Sequence, residues 1–419
     1  MGLLADLLYL IVALVTAPLW LARMIRTGKI RTDWAGRFGR AGIEPPAPGA
    51  KRRVLIHAVS VGEVNAVRLL VDRLSERRRD LEIVIATTTD TGFVRARALF
   101  GDRHRVVRYP LDFTFAVRRF LRRVRPALAA LVELEVWPNF TRACRRRGIP
   151  VGVINGRLTE RSLRRYRRVR PLVAPSFRRL SFIAAQNGDY ASRFRELGAP
   201  SERVTITGTM KWDTAEVADS IPGAEALAEA LGIDRDRPLI VAGSTAPGEH
   251  ELLAAAAPPE VQLLCAPRKP EWFDQAAAAL PGCARRSRGE RGSATGRFLL
   301  DTIGELRLAY ALADIVVIGR SFGDLHGSDM MEPAALGRPV VVGPAVSDFQ
   351  ETVDALIEGG GLILTDRDGL PRVLRELMDD SSRRRELGER GRAVIRARQG
   401  ATERTLQLLL EHLPERPDA

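Results

Sequence analysis

From Val54 onward, short apolar runs alternate with amphipathic helical stretches; the alternation breaks once near Asp213 and then begins again. The runs Val54-Ile56, Ile83-Thr87, Ala129-Val132, Val151-Ile154, Phe182-Ala185 and Val204-Ile206 read as strands of a first domain. Leu239-Gly243, Val261-Cys265, Asp314-Ile318 and Val340-Val342 read as strands of a second. Strands alternating with helices predict parallel sheets covered on both faces. Thr214 to Arg237 carries Pro222-Gly223 and interrupts the pattern. The expected fold class is therefore α/β, with two Rossmann-like domains facing a cleft. Residues 50–213 form the first domain, 214–237 a linker, 238–396 the second domain, and 397–419 a helical tail. A chain of 419 residues, 45% of them hydrophobic, is long enough to bury two such cores.

The first domain opens with the apolar run Val54-Leu55-Ile56, then His57-Ala-Val-Ser-Val-Gly-Glu63, then a helical pattern at Val64, Val67, Leu70, Val71 and Leu74. Strand, tight turn and helix follow from that order. Such a turn aims unpaired N–H groups and the positive end of the helix dipole at an anion. Glu63 then has two readings. Ser60-Val-Gly-Glu63 fits the capping box, in which the carboxylate only ties down a helix end; at the mouth of a cleft, the same group is available for chemistry.

The second domain repeats the arrangement. Leu239-Ala242 runs into Gly243-Ser-Thr-Ala-Pro-Gly248 and a helix beginning near Glu249. Further charged loops follow the other strands: Glu133-Leu-Glu135-Val-Trp-Pro-Asn139, Thr207 to Asp213, Ala266-Pro-Arg-Lys-Pro270, Asp301 to Glu305, and His326 to Glu332. Arg268 stands between prolines, and a guanidinium grips phosphate at two points. Asp234-Arg-Asp236 and Asp366-Arg-Asp368 lie in ordinary exposed turns and are set aside as metal ligands. Cys144, Cys265 and Cys283 show no metal or disulfide spacing, so a reducing compartment and no structural metal are expected.

Residues 1–31 read as an N-terminal membrane anchor. Leu3 to Ala22 is apolar apart from Asp6 and Pro18, and Arg23, Arg26, Lys29 and Arg31 follow it. The length approaches the roughly 20 residues that span a bilayer. The basic flank keeps the following domains cytoplasmic. Asp6 leaves open a helix lying in the interface instead. The net charge of +14, from 65 basic and 51 acidic residues, calls for an acidic partner. Nucleic acid is the poorer candidate, because the cluster Arg161 to Arg170 has no interleaved stacking aromatics and aromatic content is 6%. Anionic inner-membrane lipids and the phosphates of a lipid substrate are the expected partners.

Taken together and in order, H-A-V-S-V-G-E, E-L-E-V-W-P-N, I-N-G-R-L, A-A-Q-N, T-G-T-M-K-W-D, A-P-R-K-P-E, D-T-I-G-E-L and G-S-D-M-M-E-P-A-A-L-G-R-P resemble the Kdo transferases of Gram-negative bacteria. The resemblance implies a GT-B glycosyltransferase, inverting and independent of metal or other cofactor, on the cytoplasmic face of the inner membrane. Its donor would be CMP-Kdo. Its acceptor would be the lipid A precursor, an acylated disaccharide bisphosphate of lipopolysaccharide biosynthesis. Glu63 matches the general base, and Glu133 and Lys211 match positions that stabilise the transition state. Pro267 and Arg268, then Ile303, Gly304 and Glu305, then Asp329, Met330, Met331 and Glu332 match the CMP-binding segments. The chain departs from the family at Asp329 and Met330, at Lys269 where His is usual, and at Arg320 where a second Gly is usual. The rival within the same fold is a GT-B envelope enzyme using a UDP-sugar.

Overall fold

The computed structural model describes residues 2–414, so Met1 and positions 415–419 of the expected tail lie outside the described residues. The described residues divide into two compact units, one of those up to Thr214 together with those from Gln399 onward, and one of residues 215–398. The first holds β1 (Arg52–His57), β2 (Leu81–Thr87), β3 (Arg105–Arg108), β4 (Pro126–Val132), β5 (Val151–Gly156), β6 (Phe182–Ala185) and β7 (Val204–Ile206). They form one sheet in the order β3-β2-β1-β4-β5-β6-β7, and every pairing is parallel. Crossovers between parallel strands put helices on both faces, which is why these strands are apolar along nearly their whole length. Side chains alternate between two cores. Leu55, Val84, Ala129, Leu131 and Val153 face one, and Val54, Ile56, Ile83, Ala130, Val132 and Ile154 face the other.

The second unit holds β8 (Leu239–Thr245), β9 (Gln262–Pro267), β10 (Ala284–Arg285), β11 (Arg297–Leu299), β12 (Ile315–Ile318), β13 (Val340–Val342) and β14 (Ile363–Leu364). Its order is β10-β11-β9-β8-β12-β13-β14, again wholly parallel. Ile240, Ala242, Leu263, Cys265, Ile315, Val317 and Val341 are buried together on one face. Residues 214–237 are more than a linker. They include the helix Ala224–Leu231, with Leu227 and Leu231 buried, and Arg235 donates to the Leu312 carbonyl at 3.0 Å.

The C-terminal helix Ala401–Glu411 is part of the first unit and not a separate tail. Ala401, Leu406 and Leu409 are buried with Ile56, Val132 and Ile154. Its start is capped from a distance: Asp213 accepts from the N–H groups of Gly400 at 2.6 Å and Thr402 at 2.5 Å. Arg404 Nε donates to the Thr207 carbonyl at 2.9 Å, so the helix also holds the loop after β7.

The N-terminal segment departs from a single anchor helix. Among the described residues no one helix is long and apolar enough to cross a membrane; the helix Gly2–Val15 is followed by Ala17–Arg26, and Tyr9–Val15 and Ala17–Arg26 form a pair bent by 67°. Pro18 lies at the start of the second helix, where its missing N–H costs nothing, so the break falls just before it. Asp6 has a structural task. It accepts from the Thr114 N–H at 2.9 Å and from Asn139 Nδ2 at 2.8 Å, capping the helix Thr114–Val124. Tyr9 donates to Asp112 at 3.0 Å, and Asp112 in turn accepts from the N–H groups of Asn139 and Phe140 at the start of the helix Pro138–Arg145. Burial pushes the Asp112 carboxyl up to about 6 against those bonds.

Candidate active site

In a parallel α/β sheet, ligands gather at the carboxyl ends of the strands. On the first unit that end carries Glu63 after β1, Glu133 and Glu135 after β4, Asn155 in β5, and Lys211 after β7. Ser60 caps the helix Val61–Ala66, its Oγ accepting from the Glu63 N–H at 3.4 Å. The Glu63 carboxylate folds back, with Oε2 accepting from the Val59 N–H at 2.9 Å and Oε1 from Ser60 Oγ at 3.1 Å. The capping geometry is therefore real, and it leaves the carboxylate short of donors. Burial, aided by the charges of Glu133 and Glu135 and opposed by the Val59 and Ser60 bonds, pushes Glu63 up to about 7.

Glu133 and Glu135 are separated in character by their surroundings. Glu133 turns the chain at φ 59, and its N–H donates to the Ile154 carbonyl at 3.0 Å. Burial raises its carboxyl, Arg157 opposes, and Glu135 adds to the rise. Glu135 is also buried, which alone would raise it, yet His57 and the Trp137 indole hold it below the usual carboxylate range. Trp137 Nε1 donates to Glu135 at 2.8 Å. His57 Nε2 stands 3.8 Å away, too long for a hydrogen bond, and has no hydrogen-bond partner among the described residues. The ring is buried and lies flat on Tyr109, with centroids 3.6 Å apart and planes at 7°, while Nδ1 donates to the Ala86 carbonyl at 3.0 Å. Neighbouring carboxyls pushed apart in proton affinity are the arrangement that divides acid, base and electrostatic tasks. Neither His57 nor Glu135 was singled out as a site residue from sequence; the signal available was the Glu-x-Glu spacing after a strand.

Lys211 follows β7, three strands from β4 in the sheet. Its loop is nonetheless drawn back over β5, because Asn155 Oδ1, on a residue at φ 50, accepts from the Met210 N–H at 3.2 Å. Met210 is buried in the core shared with Val132 and Ile154. Among the predicted residues, Glu63 and Glu133 are thus in electrostatic contact, and Lys211 stands at the same sheet end on a buttressed loop.

On the second unit, the predicted donor residues lie after β9, β11 and β12, at or beside the strand ends of one run, β11-β9-β8-β12. Pro267 is buried at the end of β9, and the Arg268 N–H donates to the Thr245 carbonyl at 3.0 Å, leaving the Arg268 side chain exposed. Ile303 is 74% exposed beside Gly304 at φ 98, where no other atom comes within 4 Å of a built Cβ. Glu305 is held below the usual range, its burial outweighed by Thr302 and by Arg286, whose Nη2 donates at 2.9 Å. Asp329 is exposed and accepts from the Met331 N–H at 2.9 Å. Met330 and Met331 are buried at 0% and 1%, so their side chains belong to the core. Burial and then Asp329 raise the Glu332 carboxyl, with Arg307 opposing. Arg320 stands at φ 60, a backbone conformation that glycine adopts freely. Lys269 Nζ lies 3.4 Å from Glu271 and 4.9 Å from the Trp272 ring centroid.

A family model described as "3-Deoxy-D-manno-octulosonic-acid transferase (kdotransferase)" matches residues 32–214. The 3-deoxy-D-manno-octulosonic acid transferase of Bordetella pertussis is 36% identical, over 95% of this chain and 97% of that protein. The enzyme of the same name from Haemophilus influenzae is 34% identical, over 90% of each. Acinetobacter baumannii MurG shares the fold at a TM-score of 0.54 and 16% identity, covering 86% of this chain and 99% of that one. With relatives of this similarity along nearly its full length, the chain belongs to the 3-deoxy-D-manno-octulosonic acid (Kdo) transferases, glycosyltransferases of GT-B fold.

Proposed function

We propose that this enzyme transfers Kdo from CMP-Kdo to a hydroxyl of the lipid A precursor, an acylated disaccharide bisphosphate, with Glu63 as general base. The observation that carries the reading is the Glu63 carboxyl raised to about 7 beside a second raised carboxyl and a lowered one. A base with affinity near the working pH is ionised often enough to act and basic enough to take a proton. The acceptor hydroxyl gives its proton to Glu63 while its oxygen bonds to the anomeric carbon. The bond from that carbon to the CMP phosphate breaks, and the electron pair leaves with the phosphate. Attack opposite the leaving group inverts the anomeric centre. Glu133 and Glu135 place negative charge near the sugar as it becomes positive, and Lys211 stands for the negative charge that develops on the leaving group. Arg268 binds the donor phosphate, and segments 303–305 and 329–332 hold the nucleotide, with the buried Met330 and Met331 packing the second segment onto the core. No cofactor or nucleic acid enters the reaction.

The N-terminal helix pair would hold the enzyme on the cytoplasmic face of the inner membrane, where the acyl chains of the acceptor reside. Its exposed apolar side chains support this: Leu7, Leu10, Ile11, Leu14, Val15, Leu19 and Ile25 are 49–76% exposed. Purified full-length protein incubated with CMP-Kdo and the lipid precursor should yield product heavier by whole Kdo residues in a mass spectrum. CMP should also raise the thermal unfolding temperature more than UDP does. Transfer from a UDP-sugar but not from CMP-Kdo would overturn the reading.

A further inference from the structure

We propose that the groove between the helices Thr114–Val124 and Pro138–Arg145 is a phosphate-binding site for an anionic phospholipid of the bilayer. The groove encloses about 380 Å³ and is lined by Thr114, Asn139, Arg118, Arg142, Arg146 and Arg147. Four guanidinium groups around one small volume repel each other. Among the described residues none of the four makes a direct ion pair, no carboxylate coming within 4.0 Å, although Arg167 and Arg193 elsewhere in this unit pair with Glu196 and Glu160. The nearest acids, Asp6 and Asp112, are taken up in capping the two helices that form the groove.

The repulsion is legible in the charges themselves. Arg142 is held below its ordinary value first by burial and then by Arg146, with Arg118 also acting against it and Asp6 and Asp112 only partly offsetting them. Arg179 is lowered by burial and then by Arg142 and Arg145. An anion in the groove would relieve this, and a guanidinium fork matches two phosphate oxygens at once. Within the groove Asn139 already orients Arg142, whose Nη2 donates to Asn139 Oδ1 at 2.9 Å.

Apolar surface beside the groove favours a lipid over free phosphate. The first N-terminal helix is locked onto these same two helices through Asp6 and Tyr9. It presents Leu10, Ile11, Leu14 and Val15 at 49–74% exposure, and Phe115 is 57% exposed on the helix of Arg118. Acyl chains would lie along these groups while the headgroup phosphate enters the groove. This inference rests on the proposed membrane attachment but not on the transfer reaction.

The test uses full-length protein and vesicles of phosphatidylcholine with or without phosphatidylglycerol. The triple variant Arg118→Gln, Arg146→Gln, Arg147→Gln should bind phosphatidylglycerol vesicles about 100-fold more weakly, at roughly five-fold per basic residue. Its binding to pure phosphatidylcholine, its unfolding temperature and its turnover of detergent-dispersed acceptor should stay within two-fold or a degree or so of the parent. A control triple, Arg164→Gln, Arg165→Gln, Arg168→Gln, removes equal charge from an exposed helix and should lose far less. Equal losses in both triples would reduce the groove to general basic attraction and overturn the proposal. So would a raised KM for the acceptor with vesicle binding intact, which would assign the groove to the acceptor's own phosphate. Should the glutamine triple fail to fold, the same three positions changed to lysine decide it: charge is kept and the fork is lost, so binding must still fall several-fold.

Discussion

Glu63 and Glu249 occupy corresponding places in the two units, each on the first helix after the first strand of its sheet, and they differ in how many backbone donors reach them. Glu249 is 3% exposed and accepts from four N–H groups: Ala246 at 2.9 Å, Arg320 at 2.7 Å, Ser321 at 3.0 Å and Phe322 at 3.0 Å. It clamps the loop after β8 to the loop after β12. Glu63 is half-buried and accepts from one backbone N–H and one hydroxyl. The same strand, turn and acidic helix start thus gives a saturated clamp in one unit and an under-satisfied, proton-accepting carboxylate in the other. Donor count, and not the local motif, separates structure from chemistry here.

The sharpest way to break this comparison is Glu63→Gln. An amide keeps much of the capping geometry but takes no proton, so turnover should fall by about 100-fold to 10,000-fold while the fold and CMP affinity persist. A folded variant that transfers Kdo within a few-fold of the parent would make Glu63 a cap like its counterpart. The matching change in the second unit, Glu249→Ala, should be felt as lost stability. Each buried donor left without an acceptor costs ~1–3 kcal/mol, so with four donors the loss should be about 4 kcal/mol or more of that unit's unfolding free energy in denaturant. A loss below ~1 kcal/mol would mean that the clamp is redundant.

The smallest effect follows from the proton affinity of Glu63. Its folded value of about 7 lies above the ordinary 4.5, with burial as the main cause. Folding therefore favours the protonated form. Whatever stability that proton contributes is fully present below about 4.5 and is lost as pH rises to about 7. Glutamine does not titrate, so the unfolding temperature of Glu63→Gln relative to the parent should climb across that window and level off above it. A flat difference would return Glu63 to an ordinary exposed carboxylate. In the parent, kcat/KM should fall as pH drops below about 7, where the base becomes protonated.

Much of the fold was legible because buried parallel strands are apolar on both faces. Val54-Ile56 and Leu239-Gly243 announce themselves without help from their surroundings. Four strands were missed, and each is short or lies towards a sheet edge. β3 reads Arg-Val-Val-Arg, β11 has three residues, and β10 and β14 have two each. Such segments are strands only because a neighbour supplies the ladder. The N-terminal segment was legible as apolar, and Asp6 was legible as an interruption of it. That Asp6 caps a helix more than 100 residues away was not, since the pairing exists only once both helices are in place.

The sequence by itself determined the two α/β units, the glutamate at the turn after β1, and the loops that carry charge beside Gly or Pro. Those follow from period, apolar runs and turn chemistry, all local properties of the chain. Only the tertiary structure decided that Glu63 would meet Glu133 and Glu135, that His57 would stack on Tyr109 facing Glu135, and that Asp213 would bring the C-terminal helix home to the first unit. Proton affinity and capping at a distance depend on burial and on partners far away in the chain, and neither exists until the strands stand side by side.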